Sequence, residues 1–450
     1  MSESDEIAQG AKHHQSILTQ YGVYDDPELQ AYVSNLGQQL AAKSHRAHLK
    51  YHFTVLDSPD INAFALPGGY IYITRGIMAY LNSEAELAGV LGHEIGHVTA
   101  RHSVRQQSGQ LAAGLLNVLI AATTGVKELG HLSQQLSTGL IRGYGREHEL
   151  EADRLGAQYL HKSNYNPESM LDVIGVLKDQ ELYEKALAKK QNREPKIYHG
   201  VFSTHPKNDQ RLQTVIAEAK TLTAIQYKDN NRATYLGYID GMDWGPSPKQ
   251  GIVTANRFLH ADLGFAIQFP KDWTIHNSPT ALLARHETNG VIVQLTVTSL
   301  NPDESTGDLL KRLTKNTQLT VNAKAYGYTA TTQVNVAKNA QPARLSAIKL
   351  DQSQALFIIG TSTETTFAAT DNQLLAINQS FKRLNAKEIE AIKTPVLKAV
   401  HVTAADSFTS LAKNSAIEKD AENRLRLINH AFPDGKLSDQ NIIKMITLED

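Results

Sequence analysis

Two histidines four residues apart, with a glutamate between them, constrain this chain more than anything else in it. They lie in Val90-Leu91-Gly92-His93-Glu94-Ile95-Gly96-His97-Val98. On an α-helix a spacing of four puts both imidazoles on one face, one turn apart. Two neutral imidazoles so placed bind one zinc ion at about 2.0–2.1 Å each. Glu94 is too close in sequence to be a third ligand. It suits a general base acting on a water at the metal, whose pKa zinc lowers to about 7. The chain has 18 histidines, so a chance pair on a surface helix is the rival reading. The context opposes it. Residues 83–102 read as one helix, with Ser83 as N-cap and Glu86 completing a capping box. Leu87, Val90, Leu91, Ile95 and Val98 give the apolar spacing of a buried helix. Gly92 and Gly96 each cost such a helix about 1 kcal/mol against alanine. Two of them imply that something packs close, or needs room, beside the histidines.

A third ligand is expected beyond this helix. Residues 146–160, Arg-Glu-His-Glu-Leu-Glu-Ala-Asp-Arg-Leu-Gly-Ala-Gln-Tyr-Leu, read as a second helix. Glu149 and Asp153 are four apart and share a face. Glu149 suits the third ligand. Asp153 suits an acceptor for the far N–H of a ligating histidine, which fixes that ring's tautomer. Glu147 and Glu151 compete, and a solvated, charged helix face would account for both; Glu151 faces away from Glu149. Three protein ligands leave the open position that a catalytic zinc needs. A closed structural site has no cysteine to draw on, because the chain contains none.

His93-Glu94-Ile95-Gly96-His97 followed by Glu149-Leu150-Glu151-Ala152-Asp153-Arg154-Leu155-Gly156 resembles the minigluzincin metallopeptidases, which include the CAAX prenyl protease and HtpX. The likeness extends to their soluble periplasmic branch, the BepA-like proteases, through Asn62-Ala63-Phe64-Ala65-Leu66-Pro67-Gly68-Gly69, Tyr144-Gly145-Arg146-Glu147 and Ser203-Thr204-His205-Pro206. It covers about residues 10–220. The resemblance implies one zinc per chain on His93, His97 and Glu149, with Asp153 bonded behind a ligand. It implies quality control of misfolded envelope proteins, and export to a bacterial periplasm. The polar, acidic start Met-Ser-Glu-Ser-Asp-Glu is then expected to follow a removed signal.

Strands precede the metal helix. Residues 51–57 alternate, Asn62–Ala65 is a second short run, and Tyr70–Thr74 is a third. Tyr70, Ile71, Tyr72 and Ile73 are expected to form an edge strand beside the zinc. An unfolded peptide would add to that edge through backbone hydrogen bonds. A plain structural hairpin is the alternative. The apolar, small-residue stretch 109–120 reads as packing helix with some cover role. His205, before a proline, is biased to extended backbone and so sits on a loop. The resemblance puts it at the active site, either as a displaceable fourth ligand or as an oxyanion partner. A capping or surface histidine is the alternative. Arg211 is expected to help hold that loop.

The chain's 450 residues allow two to four domains. A net charge of −1 gives no electrostatic case for nucleic acid or anionic membrane. The longest apolar run, near Leu111–Ala122, is too short for a span of about 20 residues. The expected fold class is α+β. A mainly helical protease domain with a small sheet beside the metal helix covers 1–225. A linker covers 226–254, by the Gly and Pro of Gly245-Pro246-Ser247-Pro248. Residues 255–390 form a strand-rich domain with one helix near 307–317, similar to PsbP-like domains. Residues 395–450 read as strand–helix–helix–strand, resembling a LysM module but with Ala405-Asp406-Ser407-Phe408 where Gly-Asp-Thr-Leu is usual. The expected partners are unfolded protein substrates, with outer-membrane assembly machinery or peptidoglycan as further candidates. Two rival functions belong to other classes. One is a latent protease acting as a chaperone-like binder of unfolded outer-membrane proteins. The other is a cell-wall tether with a vestigial protease, which the retention of Glu94 and both histidines opposes.

Overall fold

The computed structural model describes residues 1–110, 144–195, 208–222, 225–286, 290–324, 326–336, 339–437 and 441–449. Residues 111–143, which hold most of the stretch expected to cover the cleft, and His205 lie outside them. Contacts divide the chain into two compact units. One joins residues 1–114, 140–245 and 393–450, and the other is centred on residues 246–392.

The first unit opens with helix α1, Glu3–Tyr21, and helix α2, Pro27–Ala41. Asp26 caps α2 through its side chain at 2.9 Å from Leu29 N, and Pro27 pre-sets the first turn. Leu29, Val33, Leu36 and Leu40 form its buried stripe. Three short strands follow: β1 His52–Leu56, β2 Ala63–Leu66 and β3 Tyr70–Thr74. Their order is β1-β3-β2, with β1 parallel and β2 antiparallel to β3. This corrects the docking expectation for Tyr70–Ile73. β3 is the central strand, bonded along both edges, and Ile71, Tyr72 and Ile73 are buried. It has no edge to offer a peptide. The short helix α3, Arg75–Met78, then leads to the metal helix α4, Glu84–Thr99.

Ser83 caps α4, accepting from Glu86 N at 3.2 Å. The Glu86 carboxylate reaches back one residue further than a capping box requires, to Asn82 N at 2.8 Å. The helix expected to run to residue 102 stops at Thr99. Arg101 takes a left-handed conformation, φ 56°, which reverses the chain before helix α5, His102–Gln110. That conformation is uncommon for a residue with a side chain. Arg101 is tied down by Glu6 at 2.9 Å and by the carbonyl of Met1 at 2.8 Å.

Helix α6, Arg146–Lys162, packs directly on α4. The glycines explain how close they come. A Cβ on Gly96 would lie 2.8 Å from the Ala152 carbonyl oxygen, and one on Gly156 would lie 3.1 Å from His93 N. Helices α7, Ser169–Lys190, and α8, Asn208–Thr221, complete the protease framework. Helix α9, Arg232–Ile239, follows within the stretch expected as linker. Its Tyr235, Leu236 and Ile239 are buried in the main core, so residues 232–239 are structural rather than connecting.

Residues 395–448 have the strand–helix–helix–strand order read from sequence, in strand Pro395–His401, helices Phe408–Lys413 and Ala421–Ile428, and strand Ile442–Leu448. Their core is continuous with that of the metal helix. The fully buried Lys444 ammonium donates to the carbonyls of Ala79 and Leu81, at 2.8 and 2.6 Å. Arg232 bonds both Asn82 and the Ile442 carbonyl, and Asn82 bonds the Ile428 carbonyl. These bonds close the turn that starts α4.

The second unit is built on a seven-stranded antiparallel sheet, whose strands include Trp273–Asn277 and Gln354–Thr361, and a four-stranded sheet. They share a core around Phe265, Phe269, Trp273 and Ile358. Helix α10, Thr306–Thr314, matches the expected one. A second helix, α11, Glu364–Gln379, has no counterpart in the sequence reading.

Candidate metal centre

Helix α4 presents His93, Glu94 and His97, and α6 presents Glu149 and Asp153 across the glycine contact. All five are buried. His93 Nε2 and His97 Nε2 are 3.0 Å apart. Each lies 3.5 Å from an oxygen of Glu149. A tetrahedral zinc with bonds of about 2.0–2.1 Å holds neighbouring donors roughly 3.3 Å apart. Two imidazole nitrogens and a carboxylate at these separations therefore fit one zinc ion. Among the described residues they are the one group of histidines and acids gathered closely enough for a metal.

Behind the donors the charges are ordered. Asp153 Oδ1 lies 2.8 Å from His93 Nδ1. Arg211 donates twice to Asp153, Nε to Oδ2 and Nη2 to Oδ1, both at 2.8 Å. Its Nη1 lies 3.7 Å from Glu149. Burial and the Arg211 cation push the His93 imidazole down, but Asp153 and Glu149 outweigh them and leave it raised to about 9. Burial raises Asp153, yet Arg211 and His93 hold it below the usual carboxylate range. Thus Arg211, expected to brace a loop, is a buried member of the centre.

Glu147 is exposed, away from the donors. Glu151 is not simply a solvated face. It accepts from His102 Nε2 at 3.1 Å and from Arg105 at 2.7 Å, while His102 Nδ1 meets His97 Nδ1 at 2.8 Å. Tyr144 stacks on His97 with ring centres 4.0 Å apart. Sequence reasoning missed His102, because five residues past His97 is off the helical face. The left-handed turn at Arg101 brings it back. A cavity lined by Ala63, Gly89, Val90, Met170, Val173 and Ile174 opens beside His93, Glu94 and Arg211.

A buried two-histidine, one-carboxylate centre on two helices, with a glutamate between the histidines, defines a zinc metallopeptidase domain. Residues 27–219 match Peptidase family M48, so the chain carries an M48 domain, and its cofactor is zinc. The chain is similar to the beta-barrel assembly-enhancing protease of Escherichia coli K12, 29% identical over 222 residues, 47% of this chain and 43% of that protein. It is also similar to a putative beta-barrel assembly-enhancing protease of Vibrio cholerae, 32% over 188 residues, 40% of this chain and 39% of that one. The mitochondrial metalloendopeptidase OMA1 of Schizosaccharomyces pombe is 28% identical over 209 residues, 45% of this chain and 57% of that one. The chain spans less than half the length of the bacterial relatives. Among solved structures, a cyanobacterial PsbP from Synechocystis is 13% identical, covering 30% of this chain and 95% of that one at a TM-score of 0.22. Among the described residues no helix is long and apolar enough to cross a membrane.

Proposed function

We propose that this chain is a zinc metalloendopeptidase that hydrolyses peptide bonds of unfolded or misfolded envelope proteins. The observation that carries the reading is the convergence of His93, His97 and Glu149 with Glu94 buried on the same helix. Bound zinc supplies Lewis acidity and a water acidified toward neutral pH. Glu94 takes the proton from the attacking water and passes it to the leaving nitrogen. Asp153 accepts from the far N–H of His93 and so keeps its other nitrogen facing the donors. Arg211 holds Asp153 and offsets the buried negative charge. The mostly apolar cavity beside Glu94 receives a substrate side chain. His205 acts at the same centre, either as a removable ligand or as the partner of the developing oxyanion; His205→Ala would raise cleavage in the first case and abolish it, with zinc retained, in the second.

The names of the bacterial relatives support a place in the periplasm and work on outer-membrane proteins in assembly. Residues 255–390 act as a PsbP-like binding or scaffolding domain, and 395–450 as a LysM-like unit completing the protease core.

The test is cleavage of casein by zinc-loaded protein, beside Glu94→Gln and beside protein stripped by a chelator. Cleavage by the unmutated, zinc-loaded protein alone is expected. Equal cleavage by Glu94→Gln would remove the glutamate's role. No cleavage with zinc bound would remove the enzyme reading.

A further inference from the structure

His93 and His97 are held from behind in different ways. His93 meets a carboxylate directly, Asp153 at 2.8 Å. His97 meets another imidazole, His102, at 2.8 Å between the two Nδ1 atoms. That second imidazole is fully buried and ends on a carboxylate, with His102 Nε2 3.1 Å from Glu151 Oε2.

We infer that His102 is a positioning residue for the metal, linking Glu151 to His97 in a carboxylate–imidazole–imidazole chain. The inference rests on the zinc reading above. His97 turns Nε2 toward His93 and Glu149, so as a ligand its remaining proton sits on Nδ1. Two Nδ1–H groups cannot face each other at hydrogen-bond distance. His102 Nδ1 is therefore the acceptor, and the His102 proton sits on Nε2. From there it is donated to the Glu151 carboxylate. The geometry fixes both tautomers and both ring planes.

The surroundings hold this chain in place. Tyr144 stacks on His97 and His148 stacks on His102, with ring centres 4.0 and 4.3 Å apart. Tyr144 is fixed by Ser103 at 2.7 Å, and Glu151 by Arg105 at 2.7 Å. The left-handed turn at Arg101 is what folds His102 back onto the helix it has just left. Uncommon backbone conformations of this kind persist where neighbours over-determine them. A partner behind a ligand orients it and raises its basicity. Here negative charge reaches the ligand through a second ring rather than by contact.

The test compares His102→Phe, which keeps a flat ring but removes the acceptor, with His102→Gln, whose amide can accept from His97 and donate to Glu151. Zinc affinity is read by competition with a chromophoric chelator, and donor geometry by the visible spectrum after cobalt substitution. His102→Phe is expected to bind zinc roughly 10–100-fold more weakly with an altered cobalt spectrum, and His102→Gln to recover most of the loss. Equal zinc affinity in His102→Phe and the unmutated protein would overturn the inference, as would equal losses in Phe and Gln. If His102→Phe does not fold, Glu151→Ala gives the same reading from a part-exposed residue. Weaker zinc binding supports the chain, and unchanged binding overturns it. These readouts do not use catalysis. Casein left intact by zinc-loaded protein would remove the enzyme reading and leave the chain standing. Casein cleaved, with His102→Phe holding zinc normally, would do the reverse.

Discussion

Asp153 stands between the metal centre and a buried cation: one of its oxygens lies 2.8 Å from His93 Nδ1, and both accept from Arg211. The carboxylate thus fixes a ligand and neutralises a guanidinium in one place. Asp153→Ala is expected to lose about 3–5 kcal/mol of stability, because it leaves Arg211 buried without its main partner. Zinc affinity should fall roughly 10–100-fold. Thermal unfolding of the metal-free protein and zinc competition measure the two losses separately. Unchanged zinc affinity would mean that Asp153 serves only Arg211.

The contact between α4 and α6 ranks the glycines. A Cβ on Gly96 would meet backbone, the Ala152 oxygen at 2.8 Å and its Cα at 3.0 Å. A Cβ on Gly92 would meet the end of the Leu160 side chain at 2.8 Å, which can rotate away. Gly96→Ala should therefore cost about 1–3 kcal/mol from overpacking, and Gly92→Ala less. Denaturant midpoints of the two variants decide it, and the reverse order would mean that the helices can slide apart at residue 96.

His430 predicts an acid limit. Burial, with the Lys444 and Arg232 cations, pushes its imidazole down to about 3 from an ordinary value of 6.5. Its Nε2 lies 2.9 Å from the Tyr80 carbonyl, and 3.5 Å from Glu86. The folded state thus holds this ring neutral where the unfolded chain protonates it. The stability it contributes is present above about 6.5 and is lost as pH falls toward about 3. His430→Gln keeps a donor for Tyr80 but cannot titrate. Its melting temperature should fall less steeply than that of the unmutated protein between pH 6.5 and about 3. Parallel curves would exonerate His430.

Residues 393–450 belong to the metal unit, and their core runs into that of the zinc helix. Removing everything from Lys393 onward should yield protein that fails to hold zinc or to unfold cooperatively. Lys444→Met is the milder probe. It keeps volume and leaves two buried carbonyls without their donor, at about 1–3 kcal/mol each. A stable, zinc-binding truncated chain would show that the unit only decorates the protease.

The metal centre was legible because its grammar is local. His93, Glu94 and His97, and then Glu149 and Asp153, each follow the four-residue helical repeat. Gly92 and Gly96 announced a close neighbour, though not which one. What could not be read depends on long-range placement. Tyr70–Ile73 alternates as any half-buried strand does, and the parallel pairing with β1 that makes it central leaves no local mark. His102 was hidden by a turn at a residue, Arg101, that gives no turn signal. Helix α9 was hidden by the Gly and Pro that follow it, although Tyr235, Leu236 and Ile239 carry its buried face.

The bonds from Lys444 to Ala79 and Leu81 bridge 365 and 363 positions of sequence. At about 5–20 residues per second, synthesis separates the two partners by roughly 20–70 s. Through that interval the turn that launches the zinc helix lacks its lid of donors. The ribosome therefore acts as a timer: the protease core is closed by residues that emerge long after its ligands, so a nascent chain carries its cutting residues before it carries the means to hold them rigid.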